Sequence, residues 1–264
     1  MPQPDSHSPH GQPVFLPAGA TAARTLMPRG TQPLQGLTFL VVEDSRFACD
    51  ALRLMCQRSG ARMRRAENLQ AARAHLRVYR PDVVIVDLGL PDGRGEGLIR
   101  DLARLGSRVP VLLGTSGDAG GRAAALAAGA SGFLEKPLES LAVFQRAILR
   151  HMPDRDCLSS GLAEAEVPLA PDPLALRDDL ARAAGMIAAG PDAVQRRYLA
   201  GFVGGLARSV HDATLEQAAV DAARDEAGAG QGTARRLDRL AGLLATRLDH
   251  ALPAFAVKGR NGMG

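Results

Sequence analysis

The chain has almost no lysine. Lys136 and Lys258 are its two copies, so the 32 basic residues among 264 are otherwise arginine. A lysine kept against that background marks a site where a compact ammonium is wanted, because arginine's planar fork does not replace a point charge at a phosphate. Tryptophan is absent and aromatics make up 3%, so any core must be aliphatic. Cysteine is scarce too. Cys49, Cys56 and Cys157 are odd in number and lack metal-ligand spacing, which argues against a disulfide framework, a redox role or a zinc site. Cys49 and Cys56, seven residues apart, share a helix face and are expected to pack as small apolar residues. No apolar run reaches the roughly 18 residues of a membrane span. The N-terminus lacks the basic and apolar regions of a secretory signal, so a cytoplasmic protein with no membrane partner is expected. The net charge of +4 is mild. Its excess lies in residues 35–153, whereas 154–264 are slightly acidic, which disfavours nucleic acid as the partner of the C-terminal part.

Residues 1–35 are rich in Pro, Gly, Ser, Thr and Gln and read as a disordered leader. His7 and His10 lie there with no third ligand nearby. From 37 to 152, apolar runs at 38–43, 62–66, 83–87, 109–114 and 132–135 alternate with amphipathic stretches near 46–59, 69–79, 95–105, 119–128 and 139–151. Gly60, Gly106 and Gly129 fall where helices should end on a left-handed residue. Runs such as Val83 to Val86, apolar at every position, mark strands buried on both faces. The pattern predicts a doubly wound α/β domain with a five-stranded parallel sheet, and the polar run 62–66 fits its edge. Residues 153–172, rich in proline, read as a linker. Helical periodicity then takes over in 173–254, with stripes at Leu176, Leu180, Ala183 and Ile187, at Val194, Tyr198, Phe202, Leu206 and Val210, and at Leu237, Leu240, Leu244, Leu248 and Ala251. A shorter helix is expected over 214–226, and the glycines of 228–232 should separate it from the last one. A small all-α bundle is predicted, followed by a tail at 255–264.

Four apolar runs end in polar residues: Glu43 and Asp44, then Asp87, then Thr115, then Lys136. A parallel sheet gathers such tips at one crevice. Three carboxylates there need a cation, and a hard divalent ion such as Mg²⁺ suits oxygen ligands. A carboxylate can also attack phosphorus to give an aspartyl phosphate, whose charge a lysine, a hydroxyl and the metal would stabilise.

Residues 37–152 resemble the receiver domain of two-component response regulators, a flavodoxin-like fold. The resemblance lies in Val-Val-Glu-Asp at 41–44, Asp-Leu-Gly-Leu-Pro-Asp-Gly at 87–93, Gly-Thr-Ser at 114–116 and Glu-Lys-Pro at 135–137. It implies Asp87 as phosphoacceptor, with Glu43, Asp44, Asp87 and the backbone carbonyl of Gly89 holding Mg²⁺. It further implies Thr115 as the switch hydroxyl, Lys136 as phosphate partner, Phe133 as the aromatic that changes rotamer, and a cis bond before Pro137. Gly89 and Gly117, two places after Asp87 and Thr115, would leave room for water to attack the phosphoryl group. A haloacid-dehalogenase-type phosphatase uses similar groups, but its nucleophile lies on the first strand with a second Asp two places on, where this chain has Gly89.

The implied donor is a sensor histidine kinase or a histidine phosphotransfer protein. Self-phosphorylation and autodephosphorylation at Asp87 would be the only chemistry. The output is expected to pass through the helical region to a downstream protein target, or through a homodimer. A phosphorylation-controlled transcription factor with an unrecognised DNA-binding helix stays open. His211 and His250 are expected at helix ends, since the Lys-Gly that follows a relay histidine is replaced by Asp212-Ala213-Thr214-Leu215.

Overall fold

A computed structural model describes residues 32–104, 109–152, 172–224 and 230–250. Most of the expected leader, the linker with Cys157, Gly106, Ala251 and the C-terminal tail lie outside these residues. A parallel sheet forms from β1 (Thr38–Val42), β2 (Arg62–Ala66), β3 (Val83–Asp87), β6 (Val111–Ser116) and β7 (Gly132–Glu135) in the order β2-β1-β3-β6-β7. A two-residue ribbon, β4 (Gly89–Leu90) and β5 (Gly93–Arg94), follows β3. The predicted edge strand is indeed β2, half-exposed where the central strands are buried throughout.

The sheet's two faces read directly from the alternation of its side chains. Phe39, Val41, Val83, Ile85, Val111 and Leu113 pack beneath α1 (Arg46–Arg58) and α5 (Leu141–Leu149), chiefly on Leu52, Met55, Phe144 and Ile148. Leu40, Val42, Val84, Val86 and Leu112 face the other way, onto α2 (Leu69–Val78), α3 (Gly95–Arg104) and α4 (Gly121–Ala128). Both faces are covered, which is why these strands tolerate no polar alternation. Cys49 and Cys56 are free thiols buried in the first cluster, as expected of packing residues, and burial pushes the Cys56 thiol up to about 12.

Helix ends follow local chemistry. Ser45, Asn68 and Ser140 cap α1, α2 and α5 through side-chain oxygens. Gly129 closes α4 at φ +104, a conformation glycine adopts without strain. Two boundaries differ from expectation. The fourth long strand runs to Ser116 instead of 114, because Thr115 and Ser116 continue the pairing with Leu134 and Glu135. Leu34, placed in the leader by composition, is fully buried, and its amide donates to the carbonyl of Ser59 at 2.9 Å.

Beyond residue 172 the described chain is helical: α6 (Pro173–Ala188), α7 (Ala193–Ser209), α8 (Ala213–Ala223) and α9 (Gly230–His250). Asp192 and Gln195 form a reciprocal capping box on α7. The last helix starts inside the glycine-rich stretch that was expected to precede it. The striped residues Leu180, Ala183, Phe202, Leu206, Leu240 and Leu244 make a common core. Phe47 of α1 belongs to that same core, so the helical region does not stand apart from the α/β layer but packs onto its first helix.

Candidate functional site

The carboxyl edge of the sheet brings together the residues the sequence pointed to. Glu43 and Asp44 follow β1, Asp87 ends β3, Thr115 lies next to last in β6 and Lys136 follows β7. Register sets Asp87 beside Thr115. Glu43, Asp44 and Asp87 each present an oxygen within 4.8 Å of the others, and all three residues are buried. Lys136 Nζ bridges two of them, 2.6 Å from Glu43 Oε2 and 2.8 Å from Asp87 Oδ2. Gly89, whose carbonyl is the fourth expected ligand, donates its amide to Asp87 Oδ1 at 3.2 Å. Thr115 Oγ1 is buried without a hydrogen-bond partner. Phe133 is buried in the second core cluster, with the Arg122 guanidinium 5.3 Å from its ring centre. The Lys136–Pro137 bond is cis.

The electrostatics follow from this crowding. Burial pushes the Glu43 carboxyl up to about 8; the Asp87 and Asp44 carboxylates push the same way, while Lys136 pulls it back. Burial likewise raises Asp44, against hydrogen bonding from Tyr198 and the charge of Arg182. Burial alone would lower Lys136, but the charges of Asp87 and Glu43 outweigh it and hold the ammonium well above its ordinary range. A neutral lysine is therefore not in play, and Lys136 acts as a fixed positive charge.

Four residues that the sequence did not single out complete the surroundings, and all come from the helical region. Asp179 of α6 is 2% exposed. Its carboxylate accepts from Ser45 Oγ at 2.8 Å and from the first amides of α1, Arg46 at 3.1 Å and Phe47 at 3.0 Å. Arg182 Nη1 lies 2.9 Å from Asp44 Oδ2, and Tyr198 of α7 donates its hydroxyl to that same oxygen. Arg208, also of α7, lays its guanidinium against Gly117. Tyr198 had been placed in an apolar stripe; the signal that could have found it was a hydroxyl in a row otherwise made of Val, Phe and Leu. Asp179, an acid next to Leu180 of the buried stripe, carried a similar signal. His211 stands just past α7, exposed, at φ +57 and 3.4 Å from Glu139 Oε1. His250 is the last residue of α9.

The doubly wound sheet thus carries acids on two strand tips and a lysine on a third. Residues 39–148 match the sequence profile of the response regulator receiver domain, and this segment belongs to that family. The chain is 40% identical over 116 residues to the KDP operon transcriptional regulatory protein KdpE of Escherichia coli K12, covering 42% of this chain and 51% of that protein. It is 33% identical over 135 residues to the virulence transcriptional regulatory protein PhoP of Salmonella typhi, covering 50% and 57%. The chain thus spans about half the length of the curated relatives it matches. Among solved structures, a receiver domain of a Pseudomonas aeruginosa sensor histidine kinase, with magnesium in its cleft, aligns at TM-score 0.41 and 23% identity, over 45% of this chain and 98% of its own. A two-component response regulator from Clostridium difficile aligns at TM-score 0.40 and 18% identity, over 44% and 96%. No described helix is long and apolar enough to cross a membrane.

Proposed function

We propose that this protein is a response regulator that accepts a phosphoryl group on Asp87 from a histidine kinase or phosphotransfer protein and signals through its helical C-terminal region by protein contacts. The observation that carries this reading is the Lys136 ammonium shared between Glu43 and Asp87 at 2.6 and 2.8 Å, beside a buried hydroxyl with no partner. An Asp87 oxygen attacks phosphorus, forming the O–P bond as the P–N bond to the donor imidazole breaks and the nitrogen recovers its electron pair. Lys136 then has a phosphoryl oxygen to pair with in place of the lost carboxylate charge. The unpaired Thr115 hydroxyl gains an acceptor, and this relief is present only in the phosphorylated state.

The donor set fits a hard divalent cation, since three buried carboxylates supply oxygen and more negative charge than Lys136 alone offsets. Glu43, Asp44, Asp87 and the Gly89 carbonyl would hold Mg²⁺, whose chemistry when bound is to neutralise the oxygens of the transferring group. Incubation with a small phosphodonor should label the protein in Mg²⁺ and leave Asp87→Asn unlabelled; label retained by that variant would reassign the acceptor.

A second reading is transcriptional control, favoured by the names of both curated relatives. The aligned stretches are little longer than the receiver domain itself, so those names speak chiefly to that domain. Mobility shift with genomic fragments, with and without beryllofluoride, separates the two outputs. Specific retardation would replace the protein-contact reading.

A further inference from the structure

The three carboxylates of the cleft do not draw their counter-charge from one source. Glu43 and Asp87 share Lys136, whereas Asp44, 3% exposed, faces the Arg182 guanidinium at 2.9 Å and the Tyr198 hydroxyl. Arg182 also donates to the Asp44 carbonyl at 3.2 Å and to Tyr198 Oη at 2.8 Å, and it lies 5.0 Å from the centre of the Phe202 ring. Arg182, Tyr198 and Asp44 thus form a closed triangle of polar contacts with an aromatic floor. Two of its corners belong to the helical region and the third to the cleft.

We propose that Arg182 and Tyr198 hold Asp44 Oδ2 in place of a divalent cation, so that cation loading of the cleft and the grip of these two side chains on Asp44 exclude one another. This rests on the cation reading given above. A cation held by Asp44 makes the guanidinium's charge redundant, and two positive centres on one buried carboxylate repel strongly where water is scarce. The Tyr198 hydroxyl must also yield, because it donates to the oxygen through which Arg182 binds. Asp179, on the same helix as Arg182, bonds to the start of α1, so α6 keeps a second anchor and release is confined to the Arg182 and Tyr198 side chains. Coupling of this kind is reciprocal: whatever draws Arg182 and Tyr198 from Asp44 tightens cation binding by the same factor. The cleft then serves as both the phosphorylation site and the docking site of the chain's own output region.

The composition supplies a reporter. The chain has no tryptophan and two tyrosines, Tyr79 and Tyr198. In full-length Tyr79→Phe protein, all tyrosine emission comes from Tyr198, and a phenol that donates to a carboxylate is quenched. Magnesium chloride, titrated against potassium chloride at equal ionic strength, should raise that emission saturably. The rise should be lost in an Asp44→Asn background. Calorimetry should find Mg²⁺ bound about tenfold more tightly by Arg182→Gln, and more tightly by Tyr198→Phe, a variant that loses one oxygen and keeps its ring packing. Saturable Mg²⁺ heat with Tyr198 emission unmoved and equal affinities in all variants would overturn the proposal and leave the cation reading standing. Absence of Mg²⁺ heat in every protein would overturn both.

Discussion

Arg208 fills the space that a side chain at residue 117 would take. A Cβ built on Gly117 falls 2.4 Å from Arg208 Nη2 and 2.8 Å from Nε, and that Nε is buried without a hydrogen-bond partner. Gly89 differs, since a Cβ there meets nothing within 4 Å. The two glycines that the receiver resemblance implies as paired openings for water are not equivalent. One lies open, and the other is covered by an arginine 91 positions further along the chain, contributed by α7.

Substitutions at the two positions should therefore diverge. A long side chain at Gly89 enters free space over the cleft and should lengthen the life of the aspartyl phosphate, read from the decay of labelled protein. Gly117→Ala must first displace Arg208 and with it the 3.0 Å ion pair to Glu216. A loss of about 0.5–1 kcal/mol of stability is expected from that partly exposed pair. Equal decay rates and equal urea midpoints for the two variants would show that Arg208 does not cover the site.

Gly95→Ala should be severe. Its Cβ would lie 2.0 Å from the backbone oxygen of Asp87, and neither main-chain segment can yield without moving Asp87 itself. A cost of about 3 kcal/mol is expected, at the upper end of ordinary overpacking. Thermal unfolding followed by circular dichroism checks it, and a fall in midpoint of under a few degrees would mean that the ribbon after β3 is free to shift.

Asp179→Ala removes three hydrogen bonds that tie α6 to the start of α1. Two of those donors are amides at a helix N-terminus, so about 2 kcal/mol should be lost, with faster hydrogen exchange at Arg46 and Phe47. Exchange unchanged at those amides would indicate that Ser45 alone suffices as the cap.

One pH effect can be assigned a sign. The His151 ring is held below its ordinary range, by burial first and then by the Arg150 charge, and its Nε2 is buried without a partner beside Gly132. Above about pH 6.5 the ring is neutral folded or unfolded. Below it the unfolded chain takes up a proton that the folded one resists, so stability is lost as pH falls through that window. Urea midpoints should drop between about pH 7 and pH 5.5 in the wild type and drop less in His151→Gln.

The α/β layer was open to reading because its signals are local. Runs such as Val83–Val86 announce strands buried on both sides, and the polar tips Glu43, Asp44, Asp87, Thr115 and Lys136 follow from where those runs stop. The helical stripes were plain in part. Leu180, Ala183, Phe202, Leu206, Leu240 and Leu244 are buried. Val194 and Val210, read into the α7 stripe, are exposed because they lie at the two ends of that helix. What could not be read was the way the two layers meet, since Asp179, Arg182, Tyr198 and Arg208 act on partners 91 to 154 positions away and leave no periodic mark. A buried acid on α6 has meaning only once the first amides of α1 lie opposite it. Composition also misplaced Leu34, because a short turn that buries one leucine looks like any polar segment.

Phe47 gives the proline-rich stretch a different meaning from the one its composition suggests. A cut anywhere in 153–171 separates two stretches of chain but not two cores, because this phenylalanine, rooted in the first helix of the α/β layer, completes the hydrophobic interior of the helices that follow. A receiver expressed alone would carry that ring into water and lose the acid that covers the head of its own helix. The isolated fragment would then settle into surroundings set by solvent instead of by the rest of the protein.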